Sequence, residues 1–166
     1  MKKSVLPILI SLLLFGIGCK KDNKDNVTGI TALKDGGVWI ANNFGTGFKP
    51  LATKDTLFIR ADNNEEHFLI ALKQKGEGVY QPLDITRFYI TQGLDVLVST
   101  YELDNTANNL VTITTYDENI HQLKGTFNLV FKNTRTNNGY PDKILLGGGK
   151  MNLSLRDVYM NPYIPK

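Results

Sequence analysis

Only one cysteine, Cys19, occurs among the 166 residues, together with one tryptophan and two histidines. A lone cysteine allows no intramolecular disulfide, so the fold has to be held by its own core. Two histidines, His67 and His121, fall short of the three or four N or S ligands of a zinc site. After residue 18 no apolar run exceeds four or five residues, whereas a membrane-spanning helix needs about 20. Long patterns at helical spacing are missing as well, which argues against a helical domain. Beyond the first 26 residues no basic cluster stands in the sequence, so nucleic-acid binding has no electrostatic support.

The first nineteen residues, MKKSVLPILISLLLFGIGC, are the most informative part of the chain. Lys2 and Lys3 form a basic n-region, Val5 to Ile17 form an apolar stretch of thirteen residues, and Gly16 and Gly18 precede Cys19. This stretch is too short to span a bilayer and reads as an export signal. A cysteine placed where the apolar run ends is the expected lipid-attachment residue, carrying palmitate-type acyl chains. Ordinary secretion, with cleavage after Gly18 and a free thiol, is the alternative. Two or more acyl chains, at about 0.8 kcal/mol per buried methylene, make anchoring effectively permanent.

The expected organisation is a signal peptide at 1–18, a polar linker at 19–26, a β domain at 27–160 and a tail at 161–166. The linker KKDNKDN has no apolar side chain and reads as a hydrated spacer. Removing residues 1–18 leaves 148 residues, the size of one domain, with 17 basic and 16 acidic side chains.

From Val27 onward period-two alternation dominates, and turn residues punctuate it about every ten positions. TLFIRAD and EEHFLIALKQK form a hairpin around Asn63-Asn64, with Leu57, Ile59 and Ala61 on one face and Phe68, Ile70 and Leu72 on the other strand's face. Glu65 to Lys75 also has helical composition, but its alternation favours a strand. Leu94–Leu103 followed by DNTANN and LVTITTY reads as a second hairpin. Phe127, Leu129 and Phe131 share one face of a later strand, and Met151, Leu153 and Leu155 share one face of the last. KGEGVYQPLD and NTRTNNGYPDK read as irregular. The expected fold is all-β, an antiparallel β-sandwich of about 8–10 strands, with a lipocalin-like barrel as the second possibility.

Several phrases taken together resemble an uncharacterised family of Bacteroidota lipoproteins: ITALKDGGVWIAN with Trp39, GVYQPL, NNLVTITTYDENIHQLKGTFNLVFKN and ILLGGGKMNLSL. The resemblance covers most of residues 28–157. It implies an antiparallel β domain on a lipid anchor and carries over no catalytic residue. Lys21-Asp22 behind the cysteine resembles the surface-export signal of such lipoproteins, with Asn23 where a second acid is expected.

Motifs for chemistry are few. GGGK at 147–150 has Ile144 where a phosphate loop needs glycine and Met151 where it needs Ser or Thr, so these glycines read as a bulge or a close packing contact. DNNEE and DNTANN lack the alternating ligands and terminal Glu of calcium loops and read as turns. His67 and His121 read as solvent-facing strand ends. No nucleophile elbow or marked triad occurs, and no pair of carboxylates is singled out for hydrolysis. No metal and no cofactor is expected. Trp39 reads as core, while Tyr80 and Tyr140, placed in loops, are candidate ligand contacts. Asp55-Thr56-Leu57 resembles a Bacteroidota O-glycosylation motif, with Thr56 as acceptor.

The expectation is therefore a non-enzymatic outer-membrane lipoprotein of the cell envelope, displayed on the surface or facing the periplasm. Its membrane contact is the anchor, and its partner is an envelope protein or a glycan. A lipocalin-like carrier of a small apolar ligand and a carboxylate-dependent hydrolase are the alternatives.

Overall fold

The computed structural model describes residues 28–49, 54–73, 76–93, 96–134, 139–156, 158 and 160. The leader, Cys19, the linker and the tail at 161–166 lie outside the described residues. Every element is a strand: β1 (Gly29–Lys34), β2 (Gly37–Ile40), β3 (Asn43–Lys49), β4 (Thr56–Asn63), β5 (Glu66–Leu72), β6 (Gly78–Tyr80), β7 (Arg87–Gln92), β8 (Val96–Leu103), β9 (Leu110–Asp117), β10 (Gln122–Asn133) and β11 (Lys143–Ser154). The eleven form one antiparallel sheet ordered β2-β1-β11-β10-β8-β7-β5-β4-β3, with β9 on β10 and β6 on β9. The sheet is not closed, so the fold is sandwich-like and the barrel alternative does not form.

The strand count exceeds the expected range with the short strands β2 and β6. The opening phrase ITALKDGGVWIAN holds a hairpin of β1 and β2. Asp35 and Gly36 both have positive φ, 50° and 86°, the backbone of a two-residue hairpin turn. The second short strand, β6, falls within a segment expected to be irregular and pairs with β9. Glu66–Leu72 is a strand, as its alternation indicated, and joins β4 through the Asn63–Glu66 turn.

The expected hairpin of β8 and β9 does not form. Instead β10 serves both: residues 122–128 pair with β9, and residues 131–133 pair with β8. The Asn109 side chain and the Asp104 backbone of the connecting turn bridge the change of partner at Val130. Asn109 Oδ1 accepts the Val130 amide at 2.7 Å, and the Asp104 amide donates to the Val130 carbonyl at 2.9 Å. Asn109 Nδ2 also donates to the Asp104 carbonyl at 2.9 Å. Both backbone groups of Val130 thus keep partners across the gap, as burial requires.

The core follows the alternation. Leu57, Ile59, Ala61, Phe68, Ile70, Leu72, Phe127, Leu129, Phe131, Met151, Leu153 and Leu155 all join one buried cluster. Trp39 lies in it at 2% exposure, edge-on to Phe68 at 5.4 Å between ring centroids. A smaller cluster of Phe58, Leu69 and Ala71 fills the opposite face of β4 and β5 beneath Leu83 and Met160. The glycines at 147–149 make the bulge expected of them. Gly148 has φ 56° and donates to Asn128 Oδ1 at 2.8 Å, while a Cβ at Gly149 would collide with the Phe127 ring. The free edge of β3 is covered by the chain leaving β11. The Phe48 amide donates to Val158 O at 2.9 Å, and the Met160 amide donates to Phe48 O at 3.2 Å. Covering an edge in this way blocks pairing with another chain.

Candidate functional site

Register on the outer face of the sheet places polar side chains in two rows. Ile30, Gly125 and Met151 turn inward, so their strand neighbours turn outward. The first row runs Ile40, Thr31, Lys150, Thr126 and Thr112 across β2, β1, β11, β10 and β9. The second runs Gly29, Asn152, Lys124 and Thr115 across β1, β11, β10 and β9. Gly29, at the end of the second row, carries no side chain and lies beside the Phe44 ring. Here a cleft of about 400 Å³ opens, lined among others by Thr28, Thr31, Ile40, Phe44, Thr114, Lys124, Thr126, Lys150, Met151 and Asn152.

Among the described residues of the five strands on this face, the one acid is Asp117 at the end of β9, opposite Gln122 and diagonal to Lys124, while the four strands beside it carry charge of one sign. The strands β1, β2, β10 and β11 contain Lys34, Lys124, Lys132, Lys143 and Lys150 and not one Asp or Glu. Lys34 turns inward and pairs with Glu66 Oε1. Lys132 and Lys143 stand directly opposite each other, a repulsive pairing, and Lys143 is drawn off by Asp104 at 2.7 Å. That bond, with those from the Thr106 hydroxyl at 2.6 Å and amide at 3.1 Å, holds the Asp104 carboxyl well below the usual carboxylate range. Lys124 and Lys150 form no ion pair among the described residues and face the cleft. In the sequence these two lysines are 26 positions apart and form no basic cluster; only the pairing of β10 with β11 brings them together. Their absence of acidic neighbours along both strands was the signal that could have revealed it.

A second polar cluster joins β4, β5 and β7. His67 Nδ1 lies 2.8 Å from Asp62 Oδ1, and His67 Nε2 lies 3.1 Å from Thr91 Oγ1. Arg60 Nε donates to Asp62 Oδ1 at 3.1 Å, Asn43 Nδ2 donates to Asp62 Oδ2 at 3.1 Å, and Tyr89 stacks on the imidazole at 4.7 Å. Burial pushes the Tyr89 hydroxyl above its ordinary range, opposed by the Arg60 charge and aided by Asp62. His67 is therefore a partnered, half-buried residue and not the solvent-facing strand end expected of it. The carboxylate, imidazole and hydroxyl stand in series, but Thr91 is only 2% exposed and the series lies outside the cleft. Its accessible chemistry is structural: it ties three strands together. His121, in contrast, is exposed in the β9–β10 turn, with φ 51°. Among the described residues no group of three or more His, Cys, Asp or Glu could hold a metal ion.

The other residues singled out from sequence are dispersed. Cys19 lies outside the described residues. Thr56 opens β4, half-buried and opposite Lys49. Tyr80 ends β6, packs against the core and donates its hydroxyl to Gly76 O at 2.8 Å. Tyr140 is half-buried in the turn before β11. Neither tyrosine lines the 400 Å³ cleft, whose aromatic contribution comes from Phe44.

No curated protein and no solved structure matches the chain. A family model does, over residues 26–142, from just before β1 to the residue preceding β11. That span takes in most of the sheet, including Thr31, Lys124 and Thr126 of the cleft, and leaves out Lys150 and Asn152. The chain belongs to the family described as a domain of unknown function, DUF6252.

Proposed function

We propose that this chain is a non-enzymatic lipoprotein of a bacterial envelope, of the Bacteroidota type, anchored in the outer membrane by acyl chains on Cys19. Its β domain is a binding module for an envelope glycan or protein, and the outer-face cleft is the contact site. The observation that carries this reading is the double row of hydroxyl, amide and ammonium groups over an apolar floor, in a cleft of about 400 Å³. Ligand pockets are typically about 300–1,000 Å³ and combine apolar walls with a few polar groups that fix orientation. The polar spacer after Cys19 supports presentation of the domain away from the lipid surface, and Lys21-Asp22 supports display at the cell face. Thr56 remains the proposed sugar-acceptor position.

The test is a comparison of the full-length protein, purified from membranes in detergent, with a Thr126→Trp variant that fills the cleft. Both are applied to a glycan array and crosslinked to envelope proteins. The expected result is a bound species that the variant loses. Equal capture by parent and variant would move the contact elsewhere on the domain.

A further inference from the structure

We infer that the cleft on the β1–β11–β10 ribbon takes an acidic oligosaccharide, one whose sugar rings carry carboxylate or sulfate groups. The inference rests on the binding-module reading and adds the chemical class of the ligand.

Three observations converge. Lys124 and Lys150 are diagonal neighbours on adjacent strands, since Lys150 pairs with Thr126 and Asn152 pairs with Lys124. Such diagonals are about 7–8 Å apart, so two flexible stems can bring both ammonium groups to one ligand. Neither lysine has an ion-pair partner among the described residues, and no Asp or Glu lines the cleft, so their charge is left for an incoming anion.

The remaining lining fits a sugar. The Thr31 and Thr126 hydroxyls flank Lys150 in one row and can donate to or accept from ring hydroxyls. Asn152 Oδ1 is engaged by Gln122 Nε2 at 3.4 Å, which leaves the Asn152 amide nitrogen for an acceptor on the ligand. Ile40, 56% exposed, provides an apolar wall for the hydrophobic face of a pyranose ring. A bilayer surface shares the anionic chemistry but is a plane, and the lysines here stand around a depression. Charge complementarity inside a hydroxyl-lined cleft favours a discrete saccharide.

The test uses the full-length protein in a sugar-free nonionic detergent, titrated by anisotropy with labelled hexagalacturonate and with a chondroitin sulfate hexasaccharide. Controls are the fully methyl-esterified hexagalacturonate, glycerophosphoglycerol as a soluble lipid headgroup, and a Lys49→Gln variant on β3. The expected result is that at least one acidic hexasaccharide binds, with affinity falling as salt rises, and that an uncharged analogue is at least tenfold weaker. Lys124→Gln with Lys150→Gln weakens binding at least tenfold, and Lys124→Arg with Lys150→Arg retains most of it. Lys49→Gln has no effect. Both cleft lysines are on the solvent face, so unchanged denaturation midpoints verify that the variants are folded.

The inference is overturned if neither acidic probe binds, if the methyl ester binds as tightly as the acid, or if glycerophosphoglycerol competes as well as the saccharide. In the ester case, loss of binding in Thr126→Trp would leave the binding-module reading standing. If Thr126→Trp changes no binding at all, the cleft itself is excluded and both readings fall.

Discussion

Trp39 donates its indole N–H to Glu66 Oε2 across 2.7 Å, and the other oxygen of that carboxylate pairs with Lys34. The contact ties the β1–β2 hairpin to the start of β5, strands far apart in the sheet order but facing each other across the core. The Trp39 ring is buried against Phe68, and Glu66 is the partner of its N–H. Glu66→Ala is expected to cost about 1–3 kcal/mol through the orphaned donor, and Glu66→Gln, which keeps an acceptor, less. Urea denaturation of both, with Trp39→Phe as the third corner of a mutant cycle, measures the coupling. Additive effects of Glu66→Ala and Trp39→Phe would contradict it.

Asn109 holds the point where β10 changes partner. Its side chain accepts the Val130 amide and donates to the Asp104 carbonyl, so Asn109→Ala leaves the Val130 amide unpaired, while the Asp104 carbonyl keeps the Ala107 amide. The expected loss is about 1–3 kcal/mol for the buried group left unsatisfied. Hydrogen exchange locates the damage: the Val130 amide loses protection in the variant while amides of the β4–β5 hairpin keep theirs.

Asp104 predicts a pH dependence of defined sign. Its folded carboxyl is held below the ordinary value near 3.9 by Lys143 and Thr106. A depressed carboxylate stabilises the fold above its unfolded pKa, and that contribution is lost as pH falls through the folded pKa. Asp104→Asn is therefore less stable than the parent at pH 7. The gap should hold down to about pH 5 and narrow below about pH 4, as the Asp104 carboxyl of the unfolded chain protonates while that of the folded chain stays ionised. Lys143→Gln should reduce the same acid-sensitive gap and also relieve the pairing with Lys132. A gap that is constant to pH 2 contradicts the assignment.

The anchor is tested independently of the cleft. Cys19→Ser should move the protein from the membrane to the soluble fraction after cell disruption, and mass spectrometry of the parent should find acyl chains on a mature N-terminus at Cys19. A serine variant that sediments with membranes as the parent does would remove the lipoprotein reading.

Much of the fold was legible because burial imposes period two. Phe127, Leu129 and Phe131, and likewise Met151, Leu153 and Leu155, alternate and are buried as their pattern indicates. The β4–β5 hairpin was legible for the same reason, helped by Asn64, which sits in its turn with φ 53°. The split of β1 from β2 is written in Asp35-Gly36, a two-residue hairpin signal between the two strands. The β9–β10 hairpin turns locally at DEN, but the pairing of β8 with the far end of β10 and not with β9 could not be read locally, since there Asn109 and Asp104 meet Val130, more than twenty residues away. The cleft was illegible for a related reason. Strand alternation marks Lys124 and Lys150 as outward, but only register makes them neighbours. His67 looked like a strand terminus because its partners Asp62 and Thr91 come from two other strands.

Amide chemical-shift mapping of the full-length protein, titrated with the acidic hexasaccharide, tests the central claim most directly. The account predicts saturable shifts at Thr31, Lys124, Thr126, Lys150 and Asn152, with the Asp62–His67–Thr91 cluster unmoved. Shifts confined to that cluster, or to the turns around Tyr80 and Tyr140, would contradict it.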